Sequence, residues 1–120
     1  MWKTLKNQPM IQQADNYIKT CLKGWLLCES CSNAELNSDN PNYDLILQCN
    51  ACAQACFDMA AKLLNNDDDI GDLPFNCMVH CRQCIEECQK YPQTVAISTC
   101  IRACFACIRV VKEMACFTLN

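Results

Sequence analysis

Cysteine is the residue whose type and spacing carry the chemistry of this chain, which has 14 cysteines among 120 residues. Thirteen of them recur at helical intervals, mostly of three or four residues, within four separate segments. Such intervals place side chains on one face of an α-helix, where a bundle normally carries leucine. The pattern therefore predicts a core built of thiols. Its members are Cys21, Cys28, Cys31, Cys49, Cys52, Cys56, Cys77, Cys81, Cys84, Cys88, Cys100, Cys104 and Cys107.

Disulfide bonding and inert packing are two alternative uses for these thiols. Cysteines three or four apart on one helix have poor geometry for a disulfide, although bridges between facing helices are feasible. Buried free cysteine is common singly as a small apolar residue, but thirteen on one seam would be an extreme coincidence. The first nine residues contain no apolar stretch and no twin arginine, so nothing marks export. We therefore expect a cytoplasmic protein, whose reduced thiols are more suited to binding metal.

The helices that must position these thiols are delimited by proline. Each of the four prolines stands just ahead of one periodic segment: Pro9, Pro41, Pro74 and Pro92. Proline suits the first turn of a helix because it has no N–H to lose there. No alternating pattern of strand length is evident, so we expect an all-α fold. The predicted helices span residues 10–32, 42–65, 73–89 and 93–117.

The short connection at residues 90–92 predicts that the third and fourth helices lie antiparallel as neighbours. The simplest closure is an antiparallel up-down-up-down four-helix bundle, forming a single domain over residues 1–120. Asp72, and either Asp39 or Asn40, are suitable caps for the helices that follow them.

Antiparallel helices would stack the thiols into layers along the bundle axis. The first expected layer contains Cys31, Cys49, Cys88 and Cys100, and the second contains Cys28, Cys52, Cys84 and Cys104. The third contains Cys56, Cys81 and Cys107 with Gly24 as its fourth wall, and the next contains Cys21 and Cys77 with Met59 and Val111. Cys116 follows Cys107 by nine residues, half a turn off this stripe. We keep it among the candidate metal ligands.

One end of the predicted bundle collects softer and weaker ligands than thiolate, namely Met10, Met59, Met78, His80, Met114 and Cys116. Thioether and imidazole groups are suited to picking up Cu(I) and passing it on. We therefore expect metal to enter at this end. The alternative is that the methionines fill gaps at helix ends and that His80 is a surface residue.

Cu(I) is the metal that best fits a continuous lining of thiols. It is soft, prefers thiolate and accepts two or three bridging sulfurs, so many ions can be held without fixed tetrahedra. Zinc is the alternative, because four C-x2-C pairs are present: Cys28/Cys31, Cys49/Cys52, Cys81/Cys84 and Cys104/Cys107. The ferredoxin cysteine run is absent, and no βαβ pattern surrounds a C-x2-C pair, which disfavours iron–sulfur and thioredoxin-like chemistry.

Other classes of partner are disfavoured by composition. The net charge is -3 and the basic residues are scattered, so nucleic acid is not expected to bind. No apolar run approaches the roughly 18 residues of a membrane span. We place five aromatic residues on outward helix faces, where they either cover helix–helix or subunit contacts or form plain surface: Trp2, Tyr17, Trp25, Phe57 and Phe105.

The chain resembles the bacterial copper storage proteins, which are cysteine-lined four-helix bundles that hold many Cu(I) ions. The resemblance covers nearly the whole chain and lies in repeated C-x2-C and C-x3-C motifs within helices: Cys49-Cys52-Cys56, Cys77-Cys81-Cys84-Cys88 and Cys100-Cys104-Cys107. It implies storage of Cu(I) without catalysis, inward cysteine ligands, entrance at an end bearing His and Met, and commonly a homotetramer. Lacking a twin-arginine signal, the chain resembles the cytosolic members.

Overall fold

The structure, a computed structural model, describes residues 8–65 and 69–119, with side chains described for residues 13–65 and 69–114. The chain forms four helices, as the cysteine periodicity predicted, and the described residues contain no strand. The helices are α1 (Gln8–Leu36), α2 (Tyr43–Leu64), α3 (Leu73–Cys88) and α4 (Val95–Leu119). The all-α prediction is confirmed.

Helix boundaries differ from the predicted ones where contacts outside the helix set the end. The N-cap of α2 is Asn42, not Asp39 or Asn40, and its side chain makes no capping bond. Instead, its backbone N–H and its Nδ2 both donate to Glu35 Oε2, at 2.9 and 3.0 Å. This links the start of α2 to α1, which continues to Leu36 rather than ending at residue 32.

The helices α3 and α4 begin close to Pro74 and Pro92, as predicted, and Thr94 sets the exact start of α4. Asp72 is the N-cap of α3 as predicted, without a side-chain capping bond, and Pro74 lies in the first turn. Helix α4 begins at Val95 rather than at residue 93. Thr94 explains this start, because its Oγ1 accepts a hydrogen bond from the Ile97 backbone N–H at 3.2 Å.

The four helices pack in a ring, α1 against α2, α2 against α3, α3 against α4 and α4 against α1. Sulfur contacts give the direction of neighbouring helices. In three sulfur pairs that join α2 to α3, the residue numbers rise along α2 while they fall along α3. The pairs are Cys49–Cys84, Cys52–Cys81 and Cys56–Cys77, whose Sγ atoms lie 3.9, 3.7 and 4.0 Å apart. These helices therefore run antiparallel, as expected for an up-down-up-down bundle. The molecule measures 53 × 20 × 19 Å.

The bundle core consists mainly of thiols, with larger apolar side chains at its ends. All thirteen cysteines of the predicted stripe are buried, and Leu45, Met59 and Val111 are fully enclosed. Burying a leucine, methionine or valine side chain contributes about 1.5–3 kcal/mol, so these residues stabilise the ends of the bundle. No helix among the described residues is long and apolar enough to cross a membrane.

The outward-facing prediction for the aromatic residues is wrong for Tyr17. It is only 2% exposed because it lies on the inward stripe of α1, four residues before Cys21. Phe57 and Phe105 are exposed as expected, at 40% and 52%. Trp25 is partly buried and packs on Phe57, with ring centroids 5.1 Å apart. Trp2 lies outside the described residues.

Candidate metal centre

The sulfur atoms form a continuous chain along the bundle axis. Each step from one Sγ to the next measures between 3.7 and 4.0 Å, and all thirteen described cysteines are free thiols. The chain runs through Cys77, Cys56, Cys81, Cys52, Cys104, Cys28, Cys100, Cys84 and Cys49. Every helix contributes at least one member, so the chain depends on the complete bundle.

Four groups of thiols among the described residues have sulfurs that all lie within 4.8 Å of one another. They are Cys31/Cys49/Cys88/Cys100, Cys28/Cys84/Cys100/Cys104, Cys52/Cys81/Cys104 and Cys56/Cys81/Cys107. Cys81, Cys100 and Cys104 each belong to two groups. The groups are therefore joined through shared sulfurs rather than standing as separate sites.

The sulfur spacing suits coordination of a metal by thiolates. A metal at about 2.3 Å from three sulfurs in a plane requires sulfur–sulfur separations of roughly 4 Å. In the group of Cys56, Cys81 and Cys107, the separations from Cys56 are 3.9 and 3.8 Å. Three-coordinate binding therefore needs little rearrangement of these side chains.

Of the three predicted layers that contain three or four thiols, the second differs from the structure, and the layer of Cys21 and Cys77 with Met59 and Val111 stays a prediction. The first and third layers are present as groups of neighbouring thiols, but Cys52 does not join Cys28 and Cys84. Its place is taken by Cys100, while Cys52 contacts Cys81 and Cys104, each at 3.7 Å. The physical reason is the relative height of adjacent helices, which tertiary packing sets and which counting residues along each helix does not reveal.

Gly24 stands where α1 would otherwise present another side chain to the third layer, as predicted. A Cβ built on Gly24 would lie 2.5 Å from Cys107 Sγ and 3.1 Å from Cys56 Sγ. The Cys107 thiol also donates to the backbone carbonyl oxygen of Thr20 at 3.4 Å. The α1 backbone therefore forms the fourth wall of this layer.

Burial and hydrogen bonds between the thiols raise the pKa of some cysteines and lower that of others. The pKa is raised at eight of them, Cys21, Cys31, Cys49, Cys52, Cys56, Cys81, Cys88 and Cys104. It is lowered at the other five, Cys28, Cys77, Cys84, Cys100 and Cys107. Hydrogen bonding to Cys104, together with burial, raises the pKa of Cys52. Hydrogen bonding from Cys21 lowers the pKa of both Cys77 and Cys107.

Adjacent thiolates in a buried array repel one another and lose hydration, so the array cannot ionise completely without a cation. A bound metal supplies that positive charge. Metal binding must then displace protons from the thiols whose pKa is raised.

The sequence-predicted thioether and imidazole residues lie at different depths. Met59 and Met114 are in the core, while Met78 is half-buried and packs against it. His80 is half-buried, and its Nδ1 is enclosed without a hydrogen-bond partner among the described residues. Cys116 belongs to α4, but its side chain, like that of Met10, lies outside the described part of the structure.

Tyr17 is the residue of this region that the sequence interpretation missed. Its hydroxyl oxygen is buried and makes no hydrogen bond within the described residues. The signal was present in the sequence, because residues 17, 21, 24, 28 and 31 follow one another at intervals of four and three. Tyr17 therefore continues the inward stripe of α1 by one turn on the N-terminal side of Cys21.

Comparisons with known proteins agree with a copper-binding core. No curated protein and no solved structure was matched in these comparisons. The family model described as copper storage protein matches residues 10–116, which include every described cysteine. On this match, and with its buried clusters of thiols, the chain belongs to the copper storage protein family.

Proposed function

We propose that this protein stores copper as Cu(I) and holds many ions at once among its buried sulfurs. The observation that carries the proposal is the sharing of Cys81, Cys100 and Cys104 between neighbouring groups. Cu(I) accepts two or three thiolates and allows sulfurs to bridge ions, so a chain of shared sulfurs becomes a chain of binding sites. The capacity we expect is on the order of one ion per core thiol.

The proposed ligands are the fourteen cysteines, with Met59, Met78, His80 and Met114 as weaker ligands at the end where copper enters. Thioether and imidazole groups hold Cu(I) less tightly than thiolate, which suits capture followed by transfer. The half-buried positions of Met78 and His80 support this role, because Met78 packs against the thiol core and His80 lies near enough to Cys77 to help lower the pKa of that thiol. The proposed inner ligands are the thirteen buried cysteines, and Cys116 is proposed as a further ligand at the entrance end.

We also propose that the protein is not an enzyme. Thiols closed off from solvent in a bundle core suit retention of ions rather than turnover of a substrate. A cytoplasmic location fits this role, since free thiols persist in a reducing compartment.

A homotetramer formed by a single-domain protomer over residues 1–120 is part of the proposal. It is supported by apolar side chains on the outer faces of α1 and α2, where Leu26, Leu47 and Phe57 are 53%, 65% and 40% exposed. Light scattering after size-exclusion chromatography tests this, and a mass of one protomer, 13.6 kDa, would contradict it.

A zinc-binding structural protein is the second candidate, because four thiols converge in the group Cys31/Cys49/Cys88/Cys100. Four thiolates in a closed tetrahedron are the usual ligands of structural zinc. The neighbouring group shares Cys100, however, so two complete zinc sites would compete for one sulfur.

Anaerobic titration of the reduced protein with Cu(I), against a chelator of known affinity, tests the proposal. We expect uptake to continue well beyond four ions per protomer with affinity that keeps the chelator copper-free. Saturation at three or four ions would overturn the storage proposal. Titration with Co(II) is the matched experiment for zinc, because discrete tetrahedral thiolate sites would produce intense charge-transfer bands at a fixed small stoichiometry.

A further inference from the structure

Gly24 interrupts the inward stripe of α1 between Cys21 and Cys28, and it is the only glycine of the helices. Glycine destabilises a helix interior relative to alanine, because it gives up more backbone freedom on folding. Positive φ does not explain its presence, since the positive-φ glycine among the described residues is Gly71. The reason must therefore lie in the space that a side chain would occupy.

That space is filled by two sulfurs of other helices. A Cβ on Gly24 would come within 2.5 Å of Cys107 Sγ, closer than real carbon and sulfur atoms approach, and within 3.1 Å of Cys56 Sγ. Cys107 uses the opening to reach the α1 backbone, where it donates to Thr20 O at 3.4 Å. Gly24 thus allows both sulfurs to lie directly against the backbone of α1.

These same two sulfurs join the outer thiols to the inner ones. Cys77 reaches the inner thiols through Cys56, at 4.0 Å. Cys21 hydrogen-bonds to Cys107, a contact that raises the pKa of the Cys21 thiol. Cys107 in turn lies 3.8 Å from Cys56 and shares a three-thiol group with Cys81. Copper taken up by Cys21 and Cys77 therefore next meets the group of Cys56, Cys81 and Cys107, two of whose three sulfurs lie against Gly24.

We infer that Gly24 sets the width of the thiol tube at this junction and so controls passage of Cu(I) between the outer pair, Cys21 and Cys77, and the inner sulfurs. The inference deepens the proposed storage function and rests on it. Each transfer forms a bond from Cu(I) to the sulfur ahead and breaks the bond to the sulfur behind. The proton of the entering thiol passes to the thiolate that is left, and no oxidation state changes.

An alanine at position 24 would narrow the junction. The cysteine side chain has one torsion that moves its sulfur, and the rotamer that points back into the preceding turn is disfavoured in a helix. Cys107 Sγ must therefore leave its position between the outer and inner thiols, or α1 must move outward. Either change lengthens the step between neighbouring sulfurs.

The test is stopped-flow loading of the reduced protein with Cu(I) under anaerobic conditions, for wild type, Gly24→Ala and the control Lys23→Ala. Lys23 is the exposed neighbour of Gly24, so its replacement alters α1 without touching the tube. We expect Gly24→Ala to leave initial capture unchanged and to slow filling of the inner thiols by about tenfold or more. Filling at the wild-type rate and to the wild-type capacity would overturn the inference.

Thermal unfolding without copper separates this inference from the storage proposal. Gly24→Ala should lower the melting temperature in the wild-type background, where Cys107 Sγ occupies the space. In a background that carries both Cys56→Ala and Cys107→Ala, where neither sulfur meets the added methyl group, it should raise the melting temperature, because alanine is the better helix former. A rise in melting temperature in both backgrounds would overturn the inference, even if the protein binds copper. If the wild-type protein takes up no more than four ions, the storage proposal is overturned, but this result on packing stands.

Discussion

Cys52 Sγ on α2 lies 3.7 Å from Cys104 Sγ on α4, although these helices occupy opposite corners of the bundle and do not pack closely against each other. Cys56 and Cys107 repeat the relationship one turn further along, at 3.8 Å. Cysteine makes this convergence feasible because its side chain is small enough for sulfurs from diagonal helices to meet at the axis. Leucine in the same positions would fill the axis with methyl groups.

A shared sulfur should contribute more to copper capacity than one that belongs to a single group. Cys104 belongs to two of the thiol groups, whereas Cys88 belongs to one. We expect Cys104→Ala to lose about two Cu(I) ions from the total and Cys88→Ala about one, because bridging sulfurs each complete two sites. Anaerobic titration followed by metal analysis measures both. Equal losses would indicate independent sites.

Much of this arrangement could be predicted from sequence because the cysteines mark their own helices. Intervals of three and four residues identify which face of each helix points inward, and the prolines mark where the helices begin. The grouping of Cys31, Cys49, Cys88 and Cys100 follows from these two facts and antiparallel neighbours.

The features that could not be predicted depend on contacts between elements. The bond from Asn42 to Glu35 joins residues on either side of a turn, and no local propensity indicates it. The displacement of Cys52 toward Cys81 depends on the relative height of two helices. Tyr17 is a different case, since its position on the stripe was visible but its aromatic ring suggested an outward face.

Alkaline pH should destabilise the copper-free protein. A thiol of an unfolded chain has a pKa of about 8.5, and a thiol with a raised pKa in the folded state stabilises the fold below that value. This stabilisation is lost as the pH rises toward the folded pKa, because only the unfolded chain releases its proton. The five thiols with lowered pKa act oppositely, since their contribution is present above the unfolded pKa and is lost at low pH.

All thirteen thiols of the array are buried beside one another, so desolvation and mutual repulsion keep most of them protonated in the folded protein at a pH where the unfolded chain ionises them. We therefore expect the free energy of unfolding to fall between about pH 8.5 and 9.5, by up to about 1.4 kcal/mol per pH unit for each net proton. Chemical denaturation under argon with a phosphine reductant measures it. Copper-loaded protein is the control, because its ligand thiols have already lost their protons, and a rise in stability over this range would contradict the prediction.

Copper affinity should depend on pH for the same reason. Each thiol that is protonated in the copper-free protein must lose its proton when it becomes a ligand, so acid competes with Cu(I). We expect apparent affinity to fall as pH decreases from 8 to 6, and proton release into weakly buffered solution to accompany loading. Affinity that does not vary over this range would mean that the ligands are ionised before copper binds.

Replacement of Met78 and His80 should slow copper uptake more than it lowers capacity. Both side chains are half-buried beside the thiol core, while the thiol chain itself is enclosed. The variants are Met78→Leu and His80→Gln, which keep similar volume and remove the soft ligand atom. Val79→Ala is the control, since Val79 lies between these two residues on α3 and is half-buried but carries no ligand atom. Unchanged uptake rates in the double variant would contradict entrance at this end.

Removal of the Tyr17 hydroxyl should not destabilise the bundle. The hydroxyl is buried without a hydrogen bond among the described residues, and burial, followed by the nearby Glu113 carboxylate, raises the pKa of Tyr17. An unpaired buried hydroxyl costs about 1–3 kcal/mol, so Tyr17→Phe should leave the free energy of unfolding unchanged or raise it by about 1 kcal/mol. Tyr43→Phe, at a position 65% exposed, is the matched control and should change little. A loss of stability in Tyr17→Phe alone would show that the hydroxyl has a partner, and Glu113→Gln would then identify whether that partner is the Glu113 carboxylate.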